Sequence, residues 1–176
     1  MTATETTVRR RIRRRSAVAH DDRRIVLADV ENLLGCAPRD ADAALFEAAI
    51  EALLNRIGYR TGVDQLVIGA GPKAAAKVFG VRAPHRLVVR DGESGADRAL
   101  VDIVADHDHV ASRYDEVVVA SGDREFLETL VQCSARGVRT TVVSRADALC
   151  GSLRVVADEV VEVVSARQLL GLALAA

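Results

Sequence analysis

Short apolar runs, rich in valine, isoleucine and leucine, recur along this chain, and each is followed by turn residues and then by a helical pattern. Continuous runs of this kind predict strands that are covered on both faces, since half-exposed strands alternate apolar with polar residues. The predicted strands are Ile25–Ala28, Gln65–Ile68, Arg86–Val89, Glu116–Ala120 and Arg139–Val143, with a short sixth near Arg154–Val156. Strands that alternate with helices pair in parallel. The sequence therefore predicts a three-layer α/β/α domain with a mainly parallel sheet of five or six strands.

Apolar residues at helical spacing occupy the segments between these strands. The predicted helices are Ala43–Ile57, Lys73–Phe79, about Asp97–Val110 and Arg124–Arg136. Asp40 or Asp42 can cap the first helix, and Gly58 can end it. Residues 33–39 contain glycine and proline and predict a loop. Each strand is therefore expected to lead into a turn at one common edge of the sheet.

The composition indicates one domain without a membrane segment. The 176 residues are 49% hydrophobic but only 3% aromatic, so aliphatic side chains must build the core. No run approaches the roughly 18 apolar residues of a membrane span, and the charged first 24 residues do not resemble a secretory signal. Cys36, Cys133 and Cys150 have no CxxC spacing, which is typical of free thiols in a reducing compartment. We expect a cytoplasmic protein.

Charge is divided unevenly between the start of the chain and the rest. Residues 1–24 hold eight arginines and three acids, about +5, whereas residues 25–176 hold 16 basic and 22 acidic residues, about −6. We therefore divide the chain into a basic arm, residues 1–24, and one domain, residues 25–176. The arm fits a polyanionic partner such as RNA, contact with a neighbouring chain, or a disordered tail. Its candidate RNA contacts are Arg10, Arg11, Arg13 and Arg14.

Acidic residues follow three of the predicted strands. Asp29 ends the first strand, Asp97 follows the third after a glycine-containing loop, and Asp123 and Glu125 follow the fourth. Because the carboxyl ends of parallel strands share one edge, we expect these carboxylates to converge there. Converging carboxylates raise one another's pKa, and a divalent cation removes that cost. Oxygen ligands without histidine or cysteine favour Mg²⁺ or Mn²⁺.

Structural roles also account for some of these acids. Asp97 fits the N-cap of its helix, and Asp123, after Ser-Gly, fits a turn or a cap. Asp29 precedes a stretch where no helix is predicted to begin, so capping does not explain it. We expect Glu31 to face away from the site if Asp29 and Asn32 face it.

Three motifs resemble the NYN domain family of PIN-like metal-dependent ribonucleases. They are DVEN at 29–32, SGAD at 94–97 and SGDREF at 121–126. Their order and spacing are similar to those of the family over most of residues 25–165. The resemblance implies a PIN-like (Rossmann-like) fold and an acidic pocket that binds Mg²⁺ or Mn²⁺.

The resemblance also implies roles for individual residues. Asp29, Asp97 and Asp123 take the positions of the family's catalytic, metal-binding acids, and Asn32 takes that of its pocket asparagine. Glu125 takes the position of a fourth metal-binding acid, where the family commonly has aspartate.

Further residues are candidates for contact with substrate or metal. Lys73, in the GAGPK segment, either holds a substrate phosphate or belongs to a simple connection from strand to helix. Ser121 either orients a water or a phosphate oxygen, or only stabilises its own turn. Asp102, one turn beyond Asp97, is a further candidate acid.

Together these features predict a metal-dependent ribonuclease that hydrolyses RNA, with the basic arm adding affinity for phosphate. Two other functions fit the same residues. One is a catalytically weak RNA-binding or protein-interaction module on the same fold, and the other is a toxin-like nuclease controlled by a partner. A protein partner or a homo-oligomer is expected, because the domain has little else with which to select a substrate.

Overall fold

A computed structural model describes residues 22–168 and residue 171. In chain order its elements are β1 (Arg24–Asp29), α1 (Val30–Leu34), α2 (Ala43–Arg56), β2 (Gln65–Ala70), α3 (Pro72–Val78), β3 (Arg86–Val89), α4 (Gly95–Ile103), α5 (His107–Arg113), β4 (Glu116–Ala120), α6 (Leu127–Ala135), β5 (Arg139–Arg145), α7 (Gly151–Val156) and β6 (Glu159–Val163). Short 3₁₀ helices at Pro38–Asp40 and Arg124–Phe126 precede α2 and α6. None of the helices in this part of the chain is long and apolar enough to span a bilayer.

The six strands form one sheet in the order β3-β2-β1-β4-β5-β6, and every neighbouring pair is parallel. At its centre, Val26 of β1 pairs with Leu66 of β2 and with Val118 of β4. Parallel pairing needs crossover connections, which place helices over both faces of the sheet. The predicted three-layer α/β/α domain is confirmed, and its sheet has six strands, all parallel.

Alternate residues of each central strand pack on opposite faces of the sheet. Val26 and Ala28 pack with α1, α2 and α3, whereas Ile25 and Leu27 pack with α4, α5, α6 and α7. All four side chains are buried. The sheet is therefore held between two apolar layers, and the ends of its strands are fixed relative to one another.

A buried carboxylate anchors the amino end of β1. Asp64 accepts hydrogen bonds from the backbone and guanidinium of Arg24 and from Arg60. Burial raises the pKa of Asp64, but these hydrogen bonds outweigh burial and hold it well below its usual value. With the start of β1 anchored, its last residue, Asp29, has a fixed place at the opposite edge of the sheet.

The segment after β1 differs from the prediction. Helix α1 begins at Val30, where no helix was expected, and it takes up Leu33 and Leu34 of the predicted loop. It ends at Gly35, whose φ of 75° lies in the left-handed region that favours glycine. A helix of five residues is not stable in isolation. Burial of Val30, Leu33 and Leu34 stabilises it, and so short a segment carries no readable helical period.

The helix predicted from Asp97 to Val110 is two helices, α4 and α5. Asp106 begins the second helix by accepting a hydrogen bond from the backbone N–H of His109. Val104 and Val110 are buried on either side of this break, and the prediction joined them in one helix across the polar residues between.

The short strand predicted near Arg154–Val156 is wrong, because these residues belong to helix α7. Leu153 is fully buried whereas Val155 is 84% exposed, and in a strand these two side chains would share one face. The edge strand is β6, which pairs with β5. Packing has overridden the strand preference of valine at this place.

Candidate active site

The carboxyl ends of the strands form one edge of the sheet, and the strand order reverses between β1 and β4. The chain leaves β1 toward β2 on one side, whereas the chain after β4 continues to β5 on the other. Connections that diverge in this way leave a crevice, where open parallel sheets bind their ligands. Asp29 ends β1 and Ser121 follows β4, so both lie at this crevice.

Asp29 is the last residue of β1 and also the N-cap of α1. Its Oδ1 accepts a hydrogen bond of 3.1 Å from the backbone N–H of Glu31. The expectation that capping does not explain Asp29 is therefore wrong. The other oxygen, Oδ2, lies 3.5 Å from the Oγ of Ser121, and the residue is only 7% exposed. Asp29 thus caps a helix and links the ends of two strands.

Asp97 approaches Asp29 from helix α4. The helix begins at Gly95 with Ser94 as its N-cap, so Asp97 lies in the first turn and is not the cap. The residue is buried, and within the described part of the chain its Oδ1 has no hydrogen-bond partner. A buried polar atom without a partner costs about 1–3 kcal/mol. A ligand that supplied the missing contact would therefore stabilise the fold.

The carboxyl groups of Asp29 and Asp97 hold their protons more tightly than usual. Burial, followed by the charges of Asp97 and Glu31, raises the pKa of Asp29. Burial, followed by the charge of Asp123, raises the pKa of Asp97, although a hydrogen bond with Asp29 acts in the opposite direction. Two buried carboxyl groups that interact with one another ionise together only at a cost in free energy. A positive charge placed between them would remove that cost.

Ser121 and Asp123 form the turn that follows β4. The Oγ of Ser121, fully buried, accepts a hydrogen bond of 3.2 Å from the backbone N–H of Asp123. Asp123 Oδ1 accepts a hydrogen bond of 2.8 Å from the backbone N–H of Glu125 and so caps the 3₁₀ helix. The charge of Asp123 also contributes to the raised pKa of Asp97. Ser121 therefore stabilises its own turn, and Asp123 combines a cap with a position near the buried pair.

Gly122 allows this turn to pack against the segment after β5. A Cβ at this position would lie 2.2 Å from the carbonyl oxygen of Ala148 and 2.6 Å from the Oγ of Ser144. The carbonyl oxygen of Gly122 accepts a hydrogen bond of 2.9 Å from the backbone N–H of Cys150. Only glycine fits here without displacement of the backbone, so the turn that carries Asp123 has a fixed position.

Glu125 lies at the rim of the site and not among the buried acids. Its side chain is exposed, and its Oε1 is 3.8 Å from Nη2 of Arg98. It lines an open groove of about 380 Å³ together with Asp123, Arg124, Leu127 and Glu128. Its charge adds to the factors that raise the pKa of Asp97.

Asn32 is connected to the site through its backbone. Its N–H interacts with the carboxylate of Asp29 and lowers the pKa of that group. Its carbonyl oxygen accepts a hydrogen bond of 2.6 Å from Nη1 of Arg145. The side-chain Oδ1 is buried and, like that of Asp97, has no hydrogen-bond partner in the described residues.

Glu31 was expected to face away, but it adds to the acidic group. Its charge raises the pKa of both Asp29 and Asp97, and its Oε1 accepts a hydrogen bond of 3.1 Å from the backbone N–H of Gly71. The direction of Glu31 was predicted wrongly because helix α1 was missed: α1 begins at Val30, so Glu31 lies in its first turn. The preference of aspartate for the N-cap, applied to Asp29, would have predicted this helix.

The GAGPK segment forms the connection from β2 to α3, and Lys73 lies in the first turn of α3. Lys73 is exposed, and no hydrogen bond or ion pair joins its side chain to another described residue. The Gly71 N–H, which a phosphate would need, is already bonded to Glu31. A Cβ at Gly69 would lie 2.7 Å from Leu100 and 2.9 Å from the Ala96 carbonyl oxygen. The first glycine of this segment therefore lets α4 pack closely on β2.

The remaining candidate residues are Asp102 and the arginines of the arm. Asp102 lies on the exposed side of α4, where its carboxylate forms an ion pair of 2.9 Å with Arg90. The arm arginines fall outside the residues that the structure describes, namely Arg10, Arg11, Arg13 and Arg14.

The donor atoms at the crevice fit Mg²⁺ or Mn²⁺ chemically. They are carboxylate and amide oxygens, which hard divalent cations prefer, and the buried oxygens of Asp97 and Asn32 lack a partner among the described residues. Across residues 22–168, however, no three histidine, cysteine, aspartate or glutamate side chains are already arranged to hold a metal ion. Coordination by Asp29, Asp97 and Asp123 together would therefore involve rotation of side chains.

Comparisons with known proteins establish the fold alone. The sequence matches no family model and no curated protein. The structure is similar to a solved structure from Vibrio parahaemolyticus, that of a protein of unknown function, with a TM-score of 0.54 and 22% sequence identity. The similarity covers 84% of this chain and 96% of that one.

Proposed function

We propose that this protein is a ribonuclease of the NYN-like kind, which hydrolyses RNA phosphodiester bonds with Mg²⁺ or Mn²⁺ held at the crevice between β1 and β4. The observation that carries the proposal is the buried pair formed by Asp29 and Asp97. Burying two carboxyl groups side by side destabilises a fold unless a bound ligand offsets their negative charge, and such pairs are typical of functional sites. The unpartnered Oδ1 of Asp97 supports a cation as that ligand.

Each residue has a role in this proposal that follows from its contacts. Asp29 and Asp97 would hold the cation, together with Asp123 from the turn after β4. Ser121 fixes the distance between the ends of β1 and β4 through its contact with Asp29. Asn32 orients a water molecule or a phosphate oxygen through its amide without adding a charge. Glu125, exposed at the rim, would be an outer ligand at most.

The cation, when bound, supplies charge neutralisation of the phosphate, activation of a water molecule and stabilisation of the leaving oxygen. The protein residues keep the phosphate over the crevice and exclude bulk water from its buried side. The basic arm adds affinity for RNA that is independent of sequence and sensitive to salt.

The experiment that tests this proposal is cleavage of mixed RNA substrates in the presence of Mn²⁺, Mg²⁺ or EDTA. We expect cleavage that requires the metal and that falls by about 100-fold or more in Asp123→Asn, since even residues that only orient metal ligands contribute about 10- to 100-fold. Asp102→Asn is the matched control, because Asp102 is exposed and paired with Arg90. It should cleave like the wild type.

Two outcomes would contradict the nuclease. Equal activity of Asp123→Asn and the wild type would assign the cleavage to another site or to a contaminant. Binding of RNA without cleavage would favour the second function, an RNA-binding module on the same fold. The lack of a preformed three-residue metal group within residues 22–168 is the observation that favours this alternative.

A further inference from the structure

A second polar pocket lies on the same edge of the sheet as the acids. It has a volume of about 310 Å³ and we call it the arginine pocket; it is lined by Gly35, Arg145, Asp147, Ser165, Arg167 and Gln168. Arg145 is the last residue of β5, two strands from β1. With strands about 4.8 Å apart, the end of β5 lies roughly 10 Å from the end of β1.

The arginine pocket is connected directly to the element that carries Asp29. Gly35 ends helix α1, and a Cβ at this position would lie 2.3 Å from the Cβ of Ser165, so the two segments are in close contact. Arg145 donates through Nη1 to the carbonyl oxygen of Asn32, 2.6 Å away. The pocket and the acidic crevice are therefore adjacent parts of one surface.

Arg145 is held in place and retains donors for a ligand. Asp147 accepts hydrogen bonds from its Nε at 3.0 Å and from its Nη2 at 3.4 Å. With the bond to Asn32, these contacts use three of the five N–H groups of a guanidinium. An arginine fixed in this way loses little conformational entropy on binding a phosphate.

The arginine pocket carries a positive charge beside an acidic crevice. It contains Arg145 and Arg167 against the single carboxylate of Asp147. Arg167 is exposed, and none of the other described residues forms an ion pair with it. A phosphodiester strand is repelled by the acids unless a cation is bound and its flanking phosphates are neutralised. Arginine is well suited to neutralising the flanking phosphates, because its guanidinium can donate two parallel hydrogen bonds to phosphate oxygens.

We propose that the arginine pocket binds a phosphate of single-stranded RNA adjacent to the one held at the acids, so that the strand runs along the sheet edge from β1 toward β5 and β6. This inference rests on the proposed function, since it takes RNA as the substrate. It makes Arg167 and Arg145 substrate-binding residues, and it defines the path of the RNA across the domain.

The test is fluorescence anisotropy of a labelled single-stranded RNA over a range of salt concentrations, with the full chain carrying Asp123→Asn to prevent cleavage. Arg167→Gln is added to this background, and Arg113→Gln is the matched control. Arg113 is exposed on α5, which ends just before β4 begins and so lies at the opposite edge of the sheet.

We expect Arg167→Gln to raise the Kd roughly five- to tenfold at about 50 mM salt and to reduce the slope of log K against log salt by about 0.7, the value for one phosphate contact on a single strand. Arg113→Gln should leave both quantities unchanged. Equal effects of the two substitutions, or none from either, would overturn the inference.

The two proposals fail in different ways. If the wild type cleaves RNA but Arg167→Gln binds it normally, the path of the strand is wrong and the nuclease stands. If Arg167→Gln weakens RNA binding but the wild type does not cleave with Mn²⁺ or Mg²⁺, the binding pocket stands and the catalysis is wrong.

Discussion

At the scale of single residues, this protein places carboxyl groups where they destabilise the fold. Asp29 and Asp97 are each about nine-tenths buried, and both have a raised pKa. Asp64, also buried, has instead a lowered pKa, because Arg24 and Arg60 surround it with hydrogen-bond donors. The contrast separates a carboxylate that anchors a strand from a pair whose hydrogen bonds do not outweigh burial and neighbouring negative charge. The second kind is typical of functional sites.

The raised pKa values predict how a cation changes stability with pH. In the unfolded state Asp29 and Asp97 lose their protons above about pH 4, whereas in the folded state their pKa values are about 8 and about 6. The free energy of unfolding therefore falls as the pH rises from about 4 to about 8. A bound divalent cation replaces those protons. We therefore expect Mn²⁺ to raise the melting temperature more at pH 8 than at pH 5.

At a Mn²⁺ concentration of about 100 times Kd, the expected stabilisation is about 2.7 kcal/mol, or roughly 5–10 °C in melting temperature. Thermal melting with and without Mn²⁺ measures it. Asp97→Asn should abolish most of the shift, whereas Asp102→Asn, on the exposed side of the same helix, should preserve it. A shift of equal size in both variants would place the bound cation elsewhere.

At the scale of elements, Asp97 lies in a regular helix, whereas Asp29 and Asp123 each cap a short helical segment that depends on its neighbours. The five residues of α1 follow β1, and a three-residue 3₁₀ helix follows the turn after β4. Neither segment is long enough to be stable alone. Their positions depend on close packing, as at Gly35 against Ser165 and at Gly122 against Ala148.

Gly122→Ala tests whether this packing sets the position of Asp123. The added methyl group would lie 2.2 Å from the Ala148 carbonyl oxygen, so the turn must move. We expect a loss of about 1–3 kcal/mol in stability and, because a 1 Å displacement costs on the order of 100-fold in rate, a similar loss of kcat for RNA cleavage.

Chemical denaturation and single-turnover cleavage measure the two effects of Gly122→Ala. Gly151→Ala is the control, since nothing lies within 4 Å of a Cβ at that position and the residue begins helix α7. It should retain both stability and activity. If Gly122→Ala also retained both, the turn would not determine the geometry of the site.

At the scale of the whole molecule, the junction between the arm and the domain lies at the opposite edge of the sheet from the acids. The arm leads into β1 at Arg24, and Asp29 lies five residues farther along the same strand. At about 3.3 Å per residue the separation is roughly 17 Å. The arm therefore joins the domain far from the crevice, and under the proposed function we expect it to contribute to substrate binding and not to bond cleavage.

Replacing Arg10, Arg11, Arg13 and Arg14 together by glutamine should weaken RNA binding without slowing the bond cleavage. We expect KM to rise, kcat to stay within about twofold, and the slope of log K against log salt to fall by about 3, or roughly 0.7 for each lost phosphate contact. Steady-state cleavage and salt-dependent binding measure these quantities. A fall in kcat with unchanged KM would indicate that the arm acts at the catalytic site.

Much of the fold was predictable, because it depends on patterns that repeat along the chain. The strands Arg86–Val89 and Glu116–Ala120 have the predicted limits, since continuous apolar runs of this length have few other solutions. The errors concern α1, the break before α5, and α7. In each case a short segment depends on a cap or on a single buried side chain, such as Leu153 in α7, and the local pattern does not reveal which neighbour will cover it.

The candidate site was predictable to the same degree. A parallel sheet brings the ends of its strands together, so Asp29, Asp97 and Asp123 could be assigned to one edge from their order alone. Glu31 and Asp102 could not be assigned, because the direction of each side chain depends on where its helix begins. The arginine pocket could not be predicted either, since Arg145 and Arg167 belong to segments that meet only through the pairing of β5 with β6.

The sequence by itself determined the class of fold, the parallel direction of the strands and the edge at which the acids collect, because these follow from hydrophobic periodicity and chain connectivity. Only the tertiary structure decided which carboxyl groups are buried, which share a raised pKa, and which arginines lie beside them. Burial and pKa depend on distances between segments far apart in the chain, and close packing sets those distances.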